Sequence, residues 1–312
     1  MKVIDFFQIK NSNISPTDCL KWVDCALREK YDCVLPGKIS IATSPDVFFN
    51  TMPVYLLPDK RFGVKIVSRF PERKPSLQSD ILLYDSQSGE LLAFMDGSWI
   101  TAMRTGAVAA LSISFLQKKN AKNYAFIGLG NTARATLLCL LEFVKGPLQV
   151  SLLAYKDQAD LFIDRFKDYP NISFTVYSDV QQMIADSDVI LSSVTVAHEL
   201  FAPDECFKPG VLVVPIHTRG FQNCDLFFDK VFADDVKHVC GFKYFNQFKQ
   251  FDEFAHVLIG ENPGRESEQE RILVYNIGIA LHDIYFASKI YDKLSADGQT
   301  LDLNMTTDKF WV

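Results

Sequence analysis

The stretch NYAFIGLGNTARAT, residues 123–136, limits what this chain can fold into more than any other. An apolar run ends in Gly128-Leu129-Gly130 and passes at once into a segment of helical periodicity. In such a turn the first glycine permits a tight exit from a strand, and the second lets backbone approach a pyrophosphate. Ala133, at the third small position, lets the helix pack closely. The amides of Asn131, Thr132 and Ala133 would open that helix and face phosphate oxygens, with the helix dipole adding to the attraction. A Gly-x-Gly-x-x-Ala pattern alone is weak evidence. Here it heads an alternation: helix 132–144, strand 149–155, helix 159–167, strand 172–177, helix 179–186, then strands 188–195, 211–217 and 230–235. Continuous apolar strands between amphipathic helices demand a parallel sheet covered on both faces.

The expected fold is therefore α/β, with a Rossmann-type parallel-sheet domain over residues 118–280 that binds NAD or NADP. Residues before it read differently. A helix is expected over 17–30 with Thr17 as N-cap, followed by strands at 38–42, 48–57 and 62–70. The strands 80–85 and 91–96 form a hairpin through Ser-Gln-Ser-Gly, and a helix over 98–119 leads into the glycine turn. Residues 266–294 read as one long helix returning to this first region. Residues 1–117 plus 281–312 would then make an α+β substrate-binding and dimerisation domain from both chain ends.

Composition excludes several functions. The 312 residues suit two domains, and 48% hydrophobic residues with 26 Phe supply a large core with apolar surface to spare. A net charge of −6 and no Lys/Arg-rich run argue against nucleic acid and anionic membranes as partners. No window approaches the roughly 18 uncharged apolar residues of a membrane span, and the first residues lack a signal-peptide pattern. The seven Cys are odd in number and without a C-x-x-C, as expected of reduced thiols in a cytoplasmic protein. His198, His238, His256 and His282 lack ligand spacing, so no metal is expected. His282 and Asp283 read as structural residues of the last helix.

Choice of coenzyme rests on the end of the second strand of the alternation, LLAYKDQ. No acid stands at its tip. Asp157 could reach a ribose hydroxyl, or Lys156 could favour a 2′-phosphate, and the sequence leaves both open.

The runs GVKIVSRFP, LLYDSQSGELLAFMDGSWITAMRTGAVAALS and IGLGNTA, with the later GENPGRESEQERILVYNIGIALHDIYFASKIYD, together resemble the ornithine cyclodeaminase/mu-crystallin family. The likeness extends from about residue 35 to 293 and is carried most specifically by D-G-x-x-x-T-A-x-R-T-G-A. It implies a homodimer that moves a hydride between NAD(P) and the α-carbon of an amino acid or cyclic imine. Cyclodeaminases, alanine dehydrogenase, ketimine reductase and a siderophore diaminopropionate enzyme are among the family's activities. By resemblance, Lys65 and Arg104, with Lys38 on a looser alignment, would hold the substrate carboxylate. Ser193, Val194 and Thr195 would line the cofactor, and Asn276, Ile277 and Gly278 would lie near the nicotinamide. Cations suit a carboxylate, and an Asn side chain can hydrogen-bond a carboxamide.

One loop departs from the family. Cyclodeaminases carry Gly-Asp-Cys-Pro-Gly-Lys-Thr-Glu-Leu after the strand 211–217, where this chain reads HTRGFQNCDL. With Gly220 as anchor, His217 takes the Asp position and Phe221 the Lys position. An imidazole accepts a proton but offers no anion to a distal ammonium, which disfavours ornithine cyclodeamination. His217 would serve instead as acid or base, and Arg219 could take a second carboxylate. The expectation is an NAD(P)-dependent oxidoreductase acting on an amino or imino acid. The alternatives are a cyclodeaminase proper or a small-ligand-binding protein like mu-crystallin.

Overall fold

The computed structural model describes residues 1–44, 46–194, 197, 199–216, 220–221, 224–294 and 299–300. In chain order the first elements are β1 (Lys2–Ile4), α1 (Phe6–Lys10), α2 (Pro16–Arg28), β2 (Ile39–Ser44), β3 (Val47–Leu56), β4 (Arg61–Arg69), β5 (Leu77–Asp85) and β6 (Leu91–Asp96). Next come α3 (Ser98–Leu116), β7 (Asn123–Ile127), α4 (Asn131–Leu140), β8 (Leu148–Leu153), α5 (Gln158–Arg165), β9 (Ile172–Tyr177) and α6 (Val180–Asp186). The remainder is β10 (Val189–Ser192), β11 (Leu212–Pro215), α7 (Cys224–Phe227), β12 (Lys230–Ala233), β13 (Phe251–Glu253), α8 (Phe254–Ile259), β14 (Ile272–Tyr275), α9 (Ala280–Leu294) and β15 (Gln299–Thr300).

The chain divides into two compact units, the first Met1–Ile14, Tyr31–Thr101 and Ala280–Val312, the second Ser15–Lys30 and Ala102–Ile279. Helix α2 and all but the first turn of α3 thus group with the second unit, whereas the sequence analysis assigns them to the first.

In the first unit a seven-stranded sheet runs β15-β1-β6-β5-β4-β3-β2. Strands β2 to β6 form an antiparallel meander, and β1 adds in parallel beside β6. Alternation sends Met52, Val54, Lys65, Ile81 and Leu83 to one face, where they are buried and α9 lies against the strands. Gly63 makes that approach possible, because a Cβ there would meet Ile284 of α9 at 2.5 Å. The opposite face carries Ile39, Ile41, Phe49, Ile66, Leu82 and Phe94, all at least partly exposed.

In the second unit eight strands lie in the order β13-β12-β14-β11-β10-β7-β8-β9, every pair parallel. The α/β expectation is met, and β7 sits at the point where strand order reverses. Strands β7, β10, β11, β12 and β14 are almost wholly buried, which is why each reads as a continuous apolar run.

Three local readings need correction. Residues 266–294 are not one helix. Ile272-Leu273-Val274-Tyr275 is strand β14, and only Ala280–Leu294 is helical. Its β-branched and aromatic residues fill a slot between β11 and β12, and Gly278 at φ +98° ends any helical continuation backwards. The N-cap of α2 is Ser15, not Thr17: Pro16 occupies the first helical position and Asp18 completes a capping box. Finally, among the described residues α3 is long and apolar enough to pass for a membrane span, contrary to the sequence reading. With 72% of its window buried inside the fold, it is a core helix.

One buried carboxylate secures the sheet's amino-terminal edge. Asp188 receives the amides of Lys122 (2.8 Å) and Asn123 (3.1 Å) and the ammonium groups of Lys118 (2.7 Å) and Lys208 (2.8 Å). Burial alone would raise its pKa, but the two lysines and two amides outweigh burial and hold it well below the usual carboxylate range. Because the folded value lies below the unfolded one, this contribution is present above about pH 4 and lost as pH falls further. Asp188→Asn should cost about 2 kcal/mol at neutral pH and flatten the acid limb of the denaturation curve. A variant whose acid limb superimposes on the parent's would remove Asp188 from that role.

Candidate active site

The glycine turn leaves β7 at Gly128, whose φ of +83° is open to glycine at little cost. A Cβ there would come within 3.0 Å of the Ser193 and Val194 backbone after β10. Ser193 closes the junction by donating its hydroxyl to the Gly128 carbonyl at 2.8 Å. Gly130 is the N-cap of α4, with extended backbone and no side chain to satisfy the first amides. Nothing lies within 4 Å of where its Cβ would be, so space is open in front of Asn131 and Thr132. Ala133 is fully buried, and α3 packs on α4 through Gly106, where a Cβ would meet Ala135 backbone at 2.5 Å. Open space before uncapped helix amides, at a strand-order switch point, fits a dinucleotide pyrophosphate.

The segment 276–278 is held against α3. Ser112 donates its hydroxyl to the Ala109 carbonyl at 3.0 Å, so its oxygen is the acceptor for Asn276 Nδ2 at 2.9 Å. That fixes the amide and leaves Asn276 Oδ1 buried with no hydrogen-bond donor among the described residues. An unmet buried carbonyl costs about 1–3 kcal/mol, and a carboxamide NH₂ would satisfy it. The Gly278 amide donates to Asp234, and the Arg104 guanidinium lies so near Gly278 that a Cβ there would meet it at 2.6 Å. Arg104, Asn276 and Gly278, far apart in sequence, are therefore neighbours, and Arg104 is 6% exposed. Ile277 is half-buried.

Lys65 is no surface residue of an alternating strand. It is 1% exposed on β4, and its ammonium lies 2.7 Å from Asp283 of α9, itself fully buried. Asp283, read from the sequence as structural, is the residue that pairs with Lys65. The signal was present, since Asp283 is an acid within the otherwise apolar run of α9. Ser112 was missed as well, being one hydroxyl in a helix of small residues.

Lys38 is exposed just ahead of β2, and Lys156 and Asp157 are exposed beyond β8. Val194 is half-buried beside the glycine turn. Thr195, His217 and Arg219 lie outside the described residues. Phe221, at the cyclodeaminase lysine position, is 1% exposed and packs against Phe201 and Phe207 with ring centroids 5.0 and 6.3 Å away. It belongs to the core and offers no cation. Cys139 is buried, its thiol pushed up to about 12 by burial, and is not a nucleophile. Among the described residues no group of three or more His, Cys, Asp or Glu could hold a metal.

The two units, each taken by itself, define a class: a doubly wound dinucleotide-binding fold, and a mainly antiparallel sheet that carries a buried lysine–aspartate pair. The sequence matches the ornithine cyclodeaminase/mu-crystallin family over residues 6–298, and the chain belongs to that family. It is similar to a Delta(1)-pyrroline-2-carboxylate reductase of Bacillus cereus, 25% identical over 74% of this chain and 77% of the relative. It is also similar to the ketimine reductase mu-crystallin of Macropus fuliginosus, 25% identical over 80% of this chain and 81% of that one. In fold it matches the Thermococcus litoralis Delta(1)-pyrroline-2-carboxylate reductase solved with NADH and L-proline. The TM-score is 0.87 and the identity 23%, over 96% of this chain and 100% of that one.

The Lys65–Asp283 pair is open to a direct test. Asp283→Leu leaves a buried ammonium without its anion and should cost about 3–5 kcal/mol in denaturant unfolding. Adding Lys65→Met should recover most of that loss. Additive losses in the double variant would show that the two charges do not depend on each other.

Proposed function

We propose that the chain is an NAD(P)-dependent oxidoreductase acting at the C–N bond of an amino or imino acid. The observation that carries this reading is the pairing of an open glycine turn after β7 with a buried, donor-less Asn276 carbonyl after β14, both at the carboxyl edge of one parallel sheet. A nicotinamide dinucleotide has a pyrophosphate for the first and a carboxamide for the second. When bound, it supplies the hydride donor or acceptor.

The chain's own residues do the rest. By the family resemblance, Lys65 and Arg104, with Lys38 on a looser alignment, are assigned to the substrate carboxylate, the group that sets Cα for hydride transfer. Holding the partners at near-attack distance is worth on the order of 7–11 kcal/mol in favourable cases. His217 supplies the proton to nitrogen during imine reduction and takes it back in the reverse direction, as its ordinary pKa near 6.5 allows. Arg219 takes a second carboxylate where the substrate has one. Cyclodeamination of ornithine is disfavoured, because His217 stands for the required Asp and Phe221 is packed away in the core. A small-ligand-binding role without turnover, like that proposed for the mu-crystallin branch, is the second reading, and the altered 217–221 loop favours it.

The working unit is a homodimer through the first unit's uncovered sheet face, and its place is the cytoplasm. Ile39, Ile41, Phe49 and Phe94 are 37–64% exposed on that face, an apolar surface a monomer would leave in water.

His217→Ala should lower the rate of pyrroline-2-carboxylate reduction about a hundredfold or more while coenzyme affinity stays nearly unchanged. Consumption of reduced coenzyme on a panel of cyclic imines and amino acids reads this out, and an unaltered rate refutes the assignment. Saturable coenzyme binding with no turnover on the panel would establish the second reading. Ile66→Asp should convert a dimer to monomers in light scattering. A dimer that survives the substitution locates the interface elsewhere.

A further inference from the structure

We infer that this chain selects NADP(H) over NAD(H), with Lys156 binding the 2′-phosphate; the inference rests on the coenzyme reading above. Parallel register places Phe126 beside Leu152, so two residues on, Gly128 corresponds to Ala154. A fold that chooses NAD puts a carboxylate at this strand tip to accept from the ribose hydroxyls. Here the tip is a methyl group, and the Ala154 amide is still tied to the Tyr177 carbonyl of β9 at 2.8 Å. Tyr155 follows, 57% exposed.

Lys156 then turns into the left-handed region at φ +51°, one of three described non-glycine residues with positive φ. Its ammonium rests over the Tyr155 ring, 5.1 Å from the centroid, with no ion pair to an acid among the described residues. An exposed aromatic face with a cation above it suits an adenine ring and the phosphate beside it. Asp157 is the N-cap of α5, but its side chain makes no capping bond, so it is the competing candidate for a ribose hydroxyl.

A second cation leans the same way. Arg134 is the fourth residue of α4, where a cation opposes the helix dipole. Its Nε is buried with no hydrogen-bond partner among the described residues. A cation placed against the dipole and left without an acid is relieved by an anion, and NADP brings one more phosphate than NAD.

The test is fluorescence titration of the whole chain with NADH and with NADPH at one fixed salt concentration. NADPH should bind on the order of tenfold tighter or more, the value of one charge-assisted contact. Lys156→Ala should bring the two coenzymes to near parity by weakening NADPH while leaving NADH within about twofold. Equal or tighter binding of NADH, or a specific loss of NADH affinity in Asp157→Asn, overturns the inference and leaves the oxidoreductase reading standing. Saturation by neither coenzyme refutes both.

Discussion

The close approach of the Gly128 turn to the backbone after β10 is the constraint on which the second unit depends. With 3.0 Å between the position of a Cβ and the Ser193–Val194 peptide, no side chain fits without moving one strand end. Strands β7 and β10 are hydrogen-bonded neighbours, so displacing one end would disturb the ladder on both sides. Two residues on, Gly130 caps α4 with no side chain and open space before it, so the α4 amides are bare. Packing and anion binding thus rest on two neighbouring glycines, the first for close approach and the second for access.

In the first unit the organising interaction is electrostatic. A lysine and an aspartate buried to within 1% of complete exclusion meet at 2.7 Å, each offsetting part of the other's burial cost. Gly63 lets α9 come near enough to the sheet to deliver Asp283 beside β4. The pair is therefore a product of helix–sheet packing.

Much of this was legible in the sequence. Strand–glycine–helix order and the runs of continuous apolar residues gave the doubly wound sheet, because buried parallel strands have no polar face to disguise them. The meander was equally plain from its alternation and its Asp85–Gly89 turn, where Gln87 and Ser88 amides bond the Asp85 carboxylate. Strand β14 was not, since ILVY between polar segments is too short for periodicity to separate strand from helix. Its identity comes from long-range pairing alone. For the site, the family resemblance pointed to Arg104, Lys65 and Asn276, but the partners that fix Lys65 and Asn276 lie over a hundred residues away: Asp283 for Lys65, and Ser112 for Asn276. No local pattern encodes such pairings.

Strand β14 also has a bearing on how the chain reaches its final state. It enters the sheet between β11 and β12, although the chain reaches it only after both. During synthesis those two strands therefore emerge before the strand that pairs with both of them. Until residues 272–275 arrive, each edge is a template for the wrong chain. Chaperone demand and aggregation during expression should accordingly be governed by that late insertion, a long-range closure that is slow for topological reasons.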